Sequence, residues 1–134
     1  MKIMLDEGAI MPTRSHPYDA GLDLYAMEDG IIDYSETFDT GVHVQIPEGY
    51  VGFIKSRSGL MCKHDITSDG TIDCGYTGSI RVKLFNHGVA SYYVKAGDKI
   101  AQLVIVPCLL PELELVDSLE ETDRGDNGFG STGR

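Results

Sequence analysis

Gly70-Thr71-Ile72-Asp73-Cys74-Gly75-Tyr76-Thr77-Gly78 continues into Ser79-Ile80-Arg81-Val82-Lys83-Leu84-Phe85-Asn86, and the two halves follow different rules. In the second half Ile80, Val82 and Leu84 alternate with Arg81, Lys83 and Phe85, the period of a strand with one buried face. The first half reads as a turn or hairpin, because Asp69-Gly70 and Cys74-Gly75 tolerate positive φ. Asp73 and Tyr76 then share a tight loop held by a sheet. A carboxylate so placed can act as a general base, and a ring beside it can restrict the shape of a ligand. Taken alone, the stretch also suits an ordinary hairpin whose Asp caps its own backbone.

The same two-residue period recurs on both sides. Met1–Leu5 and Ala9–Met11 read as short strands, and 12–17 as a turn-rich link. In Ala20–Ala26, Leu22, Leu24 and Ala26 alternate with Asp23 and Tyr25, which puts Asp23 on the polar face. Ile31-Ile32, Phe38 and Val42–Ile46 give further short segments, and Pro47-Glu48-Gly49 turns the chain into Tyr50–Lys55. Ser91–Val94 follows the turn at Asn86-His87-Gly88, and Gly97-Asp98 opens the apolar run Ile100–Val106, in which Gln102 is the one amide. Strands punctuated by Gly and Pro at this rhythm predict an all-β sandwich or barrel. One break in the rhythm, Ser56–Lys63, predicts a short helix through Leu60–His64 capped by Ser58. Arg57 and Ser58 at its start, beside free N–H groups, suit a phosphate.

A chain of 134 residues predicts one domain with its own core. The hydrophobic fraction of 42% and charged fraction of 24% are those of a soluble globular protein. No run has the length of a membrane span, and the acidic start is unlike a signal peptide. Cys62, Cys74 and Cys108 form no C-x-x-C pair, which predicts reduced thiols and a cytoplasmic setting, or the host cytoplasm for a viral protein. The four histidines lack ligand spacing, which argues against structural zinc. A net charge of −10 argues against a nucleic-acid partner on a broad basic surface. A small polyanion is still compatible, held by a few converging arginines or by a cation it brings with it. The Gly-rich end, 122–134, is expected to be a mobile tail; it carries Arg124, Phe129, Ser131 and Thr132.

These segments in this order resemble the homotrimeric dUTP pyrophosphatases, the dUTPases. Ala20–Ala26 resembles the first of that family's five motifs, Arg57–Leu60 the second, Gly70–Gly78 the third and Gly97–Leu103 the fourth. Arg124-Gly125 with Gly128–Gly133 is similar to the fifth. The resemblance implies a distorted jelly-roll-like β-barrel with one short helix over 1–121, closed by the tail 122–134. It implies a homotrimer with shared active sites and hydrolysis of dUTP to dUMP and pyrophosphate. That reaction keeps uracil out of DNA and supplies dUMP for dTMP synthesis. Asp73 would be the base for the attacking water. Mg²⁺ would be carried mainly by the triphosphate, with Asp23 reaching it through water. Arg57, Ser58, Gln102 and Arg124 would hold phosphate oxygens, with Gly59 beside them. Gly70, Thr71 and Ile72 would offer backbone groups to uracil, Tyr76 would pack beneath the deoxyribose, and Phe129 would stack on the base. Ser131 and Thr132 would complete the tail's contacts.

The chain departs from the family's commoner pattern in places. Gly75 stands where a second Asp is common, Thr77-Gly78-Ser79 where Arg-Gly-Glu is frequent, and Thr67-Ser68-Asp69 where an Asn and a Pro often occur. Thr67 and Ser68 therefore receive no role. Two other functions suit the same scaffold: a nucleotide-switched regulatory protein that binds a protein partner, and a dCTP deaminase. Deamination calls for a second-motif Ser-Ser pair and a catalytic Glu, where this chain has Ser58-Gly59 and Asp73.

Overall fold

The computed structural model describes residues 1–128. In chain order the strands are β1 (Lys2–Leu5), β2 (Gly21–Tyr25), β3 (Gly30–Ile32), β4 (Ser35–Asp39), β5 (Val42–Gln45) and β6 (Tyr50–Lys55). The helix α1 (Ser58–His64) is followed by β7 (Ile66–Thr67), β8 (Asp69–Ile72), β9 (Arg81–Asn86), β10 (Tyr92–Val94) and β11 (Lys99–Pro107). The architecture is an all-β, jelly-roll-like fold with one short helix among the described residues.

Alternation becomes burial in β9, where Val82, Leu84 and Asn86 are buried and Arg81, Lys83 and Phe85 are exposed. The inward residues join Leu24, Ile32, Phe38, Ile54, Ile66, Ile80, Ile100 and Leu103 in one core. Four sheets enclose it, ordered β2-β11-β6-β8, β4-β9-β7, β1-β5 and β10-β3. Every pairing is antiparallel. Antiparallel sheets with one wet face give this in–out reading along each strand. Gly49 and Gly97 take φ of +80° and +87° at the expected turns, a conformation L side chains rarely adopt.

Several local expectations are corrected. The stretch 70–78 forms a turn and not a hairpin: the Tyr76 N–H closes on the Asp73 carbonyl, β8 pairs with β6 in one sheet and the following β9 with β4 and β7 in another. The chain crosses between sheets over 73–80, and neither Gly70 nor Gly75 has positive φ. Ala9–Met11 is not a strand, and only Thr13 makes an isolated bridge, to Asp23. Ser58 is the first residue of α1 rather than its cap: Arg57 is the cap, in extended conformation and with no side-chain capping bond. Asp65 closes α1 in the left-handed region, φ 54°, which an Asp tolerates. Asp23 lies on the polar side of β2, but there it is only 7% exposed, which requires partners for its charge.

β11 carries the most consequential irregularity. Against β2, Lys99 pairs with Tyr25 but Ala101 with Leu24, so Ile100 is an extra residue. Such a bulge re-phases the side chains beyond it. Ile100 and Ala101 are consequently both buried, and Gln102 stands directly opposite Asp23.

Candidate active site

Asp23 is the centre of the polar cluster. Its Oδ1 accepts from Arg57 Nε at 3.1 Å and its Oδ2 from Lys99 Nζ at 2.8 Å. Arg57 reaches it because an extended cap residue sends its side chain back across β11, where a guanidinium nitrogen also donates to the Lys99 carbonyl at 3.3 Å. The hydrogen bond to Asp23 holds the Lys99 ammonium above the usual lysine range. Without the bulge Lys99 and Gln102, three apart, would point to opposite faces; with it, both reach the side of β2 that carries Asp23.

A cleft of about 370 Å³ opens over this cluster, lined by Ser15, Asp19, Gly21, Asp23, Arg57, Ser58, Gly59 and Gln102 among others. The tertiary structure thus gathers residues from three of the singled-out segments. Gln102 Nε2 donates to the Ser56 carbonyl at 3.1 Å, and the rest of the amide lies against Gly21. The exposed Ser58 and Gly59 bring the first turn of α1 to the rim; the leading N–H groups of a helix have no partner within it. Lys99, Ser15, Asp19 and Gly21 carry no role that the sequence pattern alone marks. A basic residue that flanks a bulge has no mark in the local pattern, so Lys99 is legible only once β2 and β11 are paired.

Gly70, Thr71, Ile72, Asp73 and Tyr76 do not line that cleft. Gly70–Ile72 belong to β8, which lies at the edge of its sheet with β6 on one side only. An edge strand keeps backbone donors and acceptors free for another molecule. Beyond it Tyr76 N–H donates to the Asp73 carbonyl at 3.0 Å, closing a turn that leaves Asp73 exposed. The Tyr76 ring lies on Gly78, where a Cβ would fall 2.7 Å from Tyr76 Cζ, and its hydroxyl donates to the Ser79 carbonyl at 2.9 Å. A side chain at residue 78 would push the ring away.

Two contacts anchor this loop to the barrel. Ser79 Oγ donates to Asp39 Oδ1, and the His43 ring bonds the Thr77 carbonyl through Nδ1 at 2.8 Å. Burial opposes ionisation of Asp39, yet the bonds from Ser79 and the Gly41 N–H, with Arg81 nearby, hold its carboxyl below the usual range. Thr67 donates to or accepts from His87 Nε2 at 2.7 Å. Ser68 is 5% exposed, and its hydroxyl has no partner among the described residues. Arg124 sits in an exposed turn with Nε donating to the Asn127 carbonyl at 3.0 Å. Phe129, Ser131 and Thr132 lie outside the described residues.

Among the described residues no group of three His, Cys, Asp or Glu side chains could hold a metal ion. Both Asp23 oxygens already accept from cations, but a carboxylate offers about four lone-pair sites, so positions remain for waters. That donor set fits a magnesium ion carried by a polyphosphate and touched through water, and does not fit a protein cage.

The fold and the cleft define a jelly-roll-like protein that can seat an anion between a helix start, an arginine and a half-buried amide. The chain belongs to the dUTPase family: the family model described as dUTPase matches residues 7–133. It is 43% identical over 134 residues to a deoxyuridine 5'-triphosphate nucleotidohydrolase of Clostridium acetobutylicum, covering 96% of this chain and 92% of that one. It is 47% identical over 134 residues to the enzyme of that name from Gloeothece citriformis. Among solved structures, a variant dUTPase of Staphylococcus bacteriophage 80alpha with dUpNHpp superposes with a TM-score of 0.89 at 34% identity, covering 99% of this chain and 98% of that one. A variant dUTPase of the S. aureus phage phi11, described as coordinating a structural Mg(II) ion, superposes at 0.83 with 34% identity, covering 90% of this chain and 98% of that one.

Proposed function

We propose that this chain hydrolyses dUTP to dUMP and pyrophosphate. Besides family membership, the observation that carries the reading is the convergence of Asp23, Arg57, Ser58 and Gln102 on one cleft. Arg57 can bond phosphate oxygens through the nitrogens not committed to Asp23, and the Ser58 hydroxyl and Gln102 amide are neutral donors. The Gly59 backbone adds to this rim. Asp19 and Asp23 keep the cleft from being strongly basic, so a triphosphate needs charge neutralisation from elsewhere. Mg²⁺ bound to the triphosphate would supply it and hold the phosphates in line, with Asp23 as its water-mediated protein contact.

Asp73 would orient the water and take its proton as it attacks the α-phosphorus. A carboxylate is too weak a base to ionise free water, so its value lies in placement and in proton transfer within the transition state, roughly 10²–10⁴-fold. The free edge at Gly70–Ile72 would read the uracil edge through backbone groups, and Tyr76 would leave no room for a 2′-hydroxyl. The tail 122–134, beyond the barrel unit 1–121, would then close: Arg124 on the phosphates, Phe129 on the base, Ser131 and Thr132 on the remaining oxygens.

Because the Asp73 loop does not line the phosphate cleft of its own chain, a site built from both has to draw on more than one subunit. A homotrimer with three shared sites meets this need, and light scattering should give about three times the monomer mass. No helix among the described residues is long and apolar enough to cross a membrane. Deamination of dCTP has no support, since no Glu stands anywhere in Ile66–Gly78, and no observation favours a regulatory role over turnover.

The deciding experiment is pyrophosphate release from dUTP measured beside dTTP, dCTP and UTP. Strong preference for dUTP is expected. Comparable rates with UTP or dCTP overturn the reading.

A further inference from the structure

His43 sits on β5, half-buried, with its side chain 17% exposed. Its two ring nitrogens face two oxygens. Nδ1 lies 2.8 Å from the Thr77 carbonyl and Nε2 lies 3.1 Å from Asp6 Oδ1. A peptide carbonyl and an ionised carboxylate can only accept, whereas a neutral imidazole offers one N–H. Both bonds exist together only in the doubly protonated ring; once a proton leaves, the one remaining N–H goes to the ionised Asp6 carboxylate, the stronger acceptor, and the Thr77 carbonyl loses its donor. The Thr77 carbonyl bond, and next the Asp6 carboxylate, accordingly raise the affinity of His43 for its proton above that of an ordinary histidine.

The charged groups around the ring agree with this. Asp6, just beyond β1, is in contact, and Asp39 at the end of β4 adds a favourable field. Lys2 of β1 lines the same shallow surface pocket and opposes it, while Arg81 of β9 is turned to Asp39 at 3.5 Å. The loop itself presents only the Thr77 carbonyl to the ring.

The position of that carbonyl matters. It belongs to the peptide joining Thr77 to Gly78, and Gly78 is the residue on which the Tyr76 ring rests. The ring's other tether, from its hydroxyl to the Ser79 carbonyl, lies one residue further on. We propose that His43 is a positioning residue for the Asp73–Ser79 loop, clamping the Thr77–Gly78 peptide beneath the Tyr76 ring as an imidazolium and releasing it on deprotonation. The inference rests on the reading of Tyr76 as the group that discriminates the sugar, and it adds a pH-dependent control of that selectivity. The sign follows from the raised proton affinity. The clamp is complete below the ordinary histidine pKa, near 6.5, and is lost as pH rises through the value His43 has in the folded protein.

The test compares kcat/KM for dUTP and UTP from pH 5.5 to 9.5 in wild type, His43→Gln and Asp6→Asn, with the His43 ring and loop amides followed by NMR. Titration of the substrate's own phosphates is common to all three proteins and cancels in the comparison. In wild type the dUTP:UTP ratio should fall about fivefold, the worth of roughly one hydrogen bond, with the midpoint of the His43 ring. The Tyr76, Thr77 and Gly78 amides should shift with that same midpoint. His43→Gln should show the low ratio at every pH, and Asp6→Asn should move the midpoint down. A His43→Gln ratio that keeps the wild-type pH dependence, or loop amides indifferent to the ring's titration, overturns the clamp. The underlying reading fails separately, if Tyr76→Ala leaves the dUTP:UTP ratio unchanged while the amides still follow His43. The wild-type NMR titration decides on the clamp even if a variant does not fold.

Discussion

Gly21 and Gln102 touch across β2 and β11: a Cβ on Gly21 would lie 2.9 Å from Gln102 Cδ, in the space the amide occupies. The absence of a side chain at 21 therefore sets where the amide of the cleft can lie. Gly21→Ala should push the Gln102 side chain off its bond to the Ser56 carbonyl and out of reach of a phosphate. Because the displaced group is the far end of a flexible side chain, the protein should stay folded. KM for dUTP is expected to rise about tenfold, the loss of one bond to a charged group, with little change in melting temperature. Unchanged kinetics in the folded variant would show that the amide does not touch substrate.

Asp73→Asn keeps the shape and hydrogen-bonding capacity of an exposed loop residue and removes its basicity. Turnover should drop at least about 10²-fold, with nucleotide binding largely retained. Single-turnover rates beside a binding isotherm separate the two. Parallel losses in both would demote Asp73 to a structural role.

The Asp39–Ser79 tether should be visible in acid. The folded-state pKa of Asp39 is lowered, so its contribution to stability is present above the ordinary carboxyl value and disappears as pH falls through the folded value. Ser79→Ala removes the largest of the groups that favour the ionised form and should raise the pH at which the protein loses stability in an acid titration followed by circular dichroism. An acid transition identical to wild type would mean the bond contributes nothing to the folded state.

The last strand among the described residues ends at Pro107, and none of residues 108–128 is buried. Deleting 124–134 should therefore leave the barrel and its assembly intact. Turnover of dUTP is expected to fall by orders of magnitude, while affinity for dUMP changes less, since the product keeps only one of the three phosphates that Arg124 would hold. A truncated protein as fast as the full chain would remove the tail from the mechanism.

Much of this architecture is legible along the chain, for a simple reason. In antiparallel sheets with one wet face, each strand writes its burial into a two-residue period that needs no knowledge of neighbours. Tyr50–Lys55 is found at the expected bounds and Arg81–Asn86 within the expected run Ser79–Asn86, and Gly49 and Gly97 mark the turns before β6 and β11 by the conformation they take. The motif order likewise identifies the family, because residue types and spacing are properties of the chain alone.

Pairing is another matter, since it depends on segments far apart. Gly70–Gly78 has the local pattern of a turn or hairpin, yet the strands that flank its turn join different sheets, because β6 and β4 offer partners that the stretch itself does not encode. Asp23 alternates as a polar residue and is buried all the same, because Arg57 and Lys99 arrive from 34 and 76 positions away to neutralise it. The bulge at Ile100 is decided only when β11 meets β2; it turns Lys99 and Gln102 to one side and so assembles the cleft. The pairing of His43 with Thr77 is of the same kind. Charge and shape at a site are sums over distant segments, and only the folded chain performs that sum.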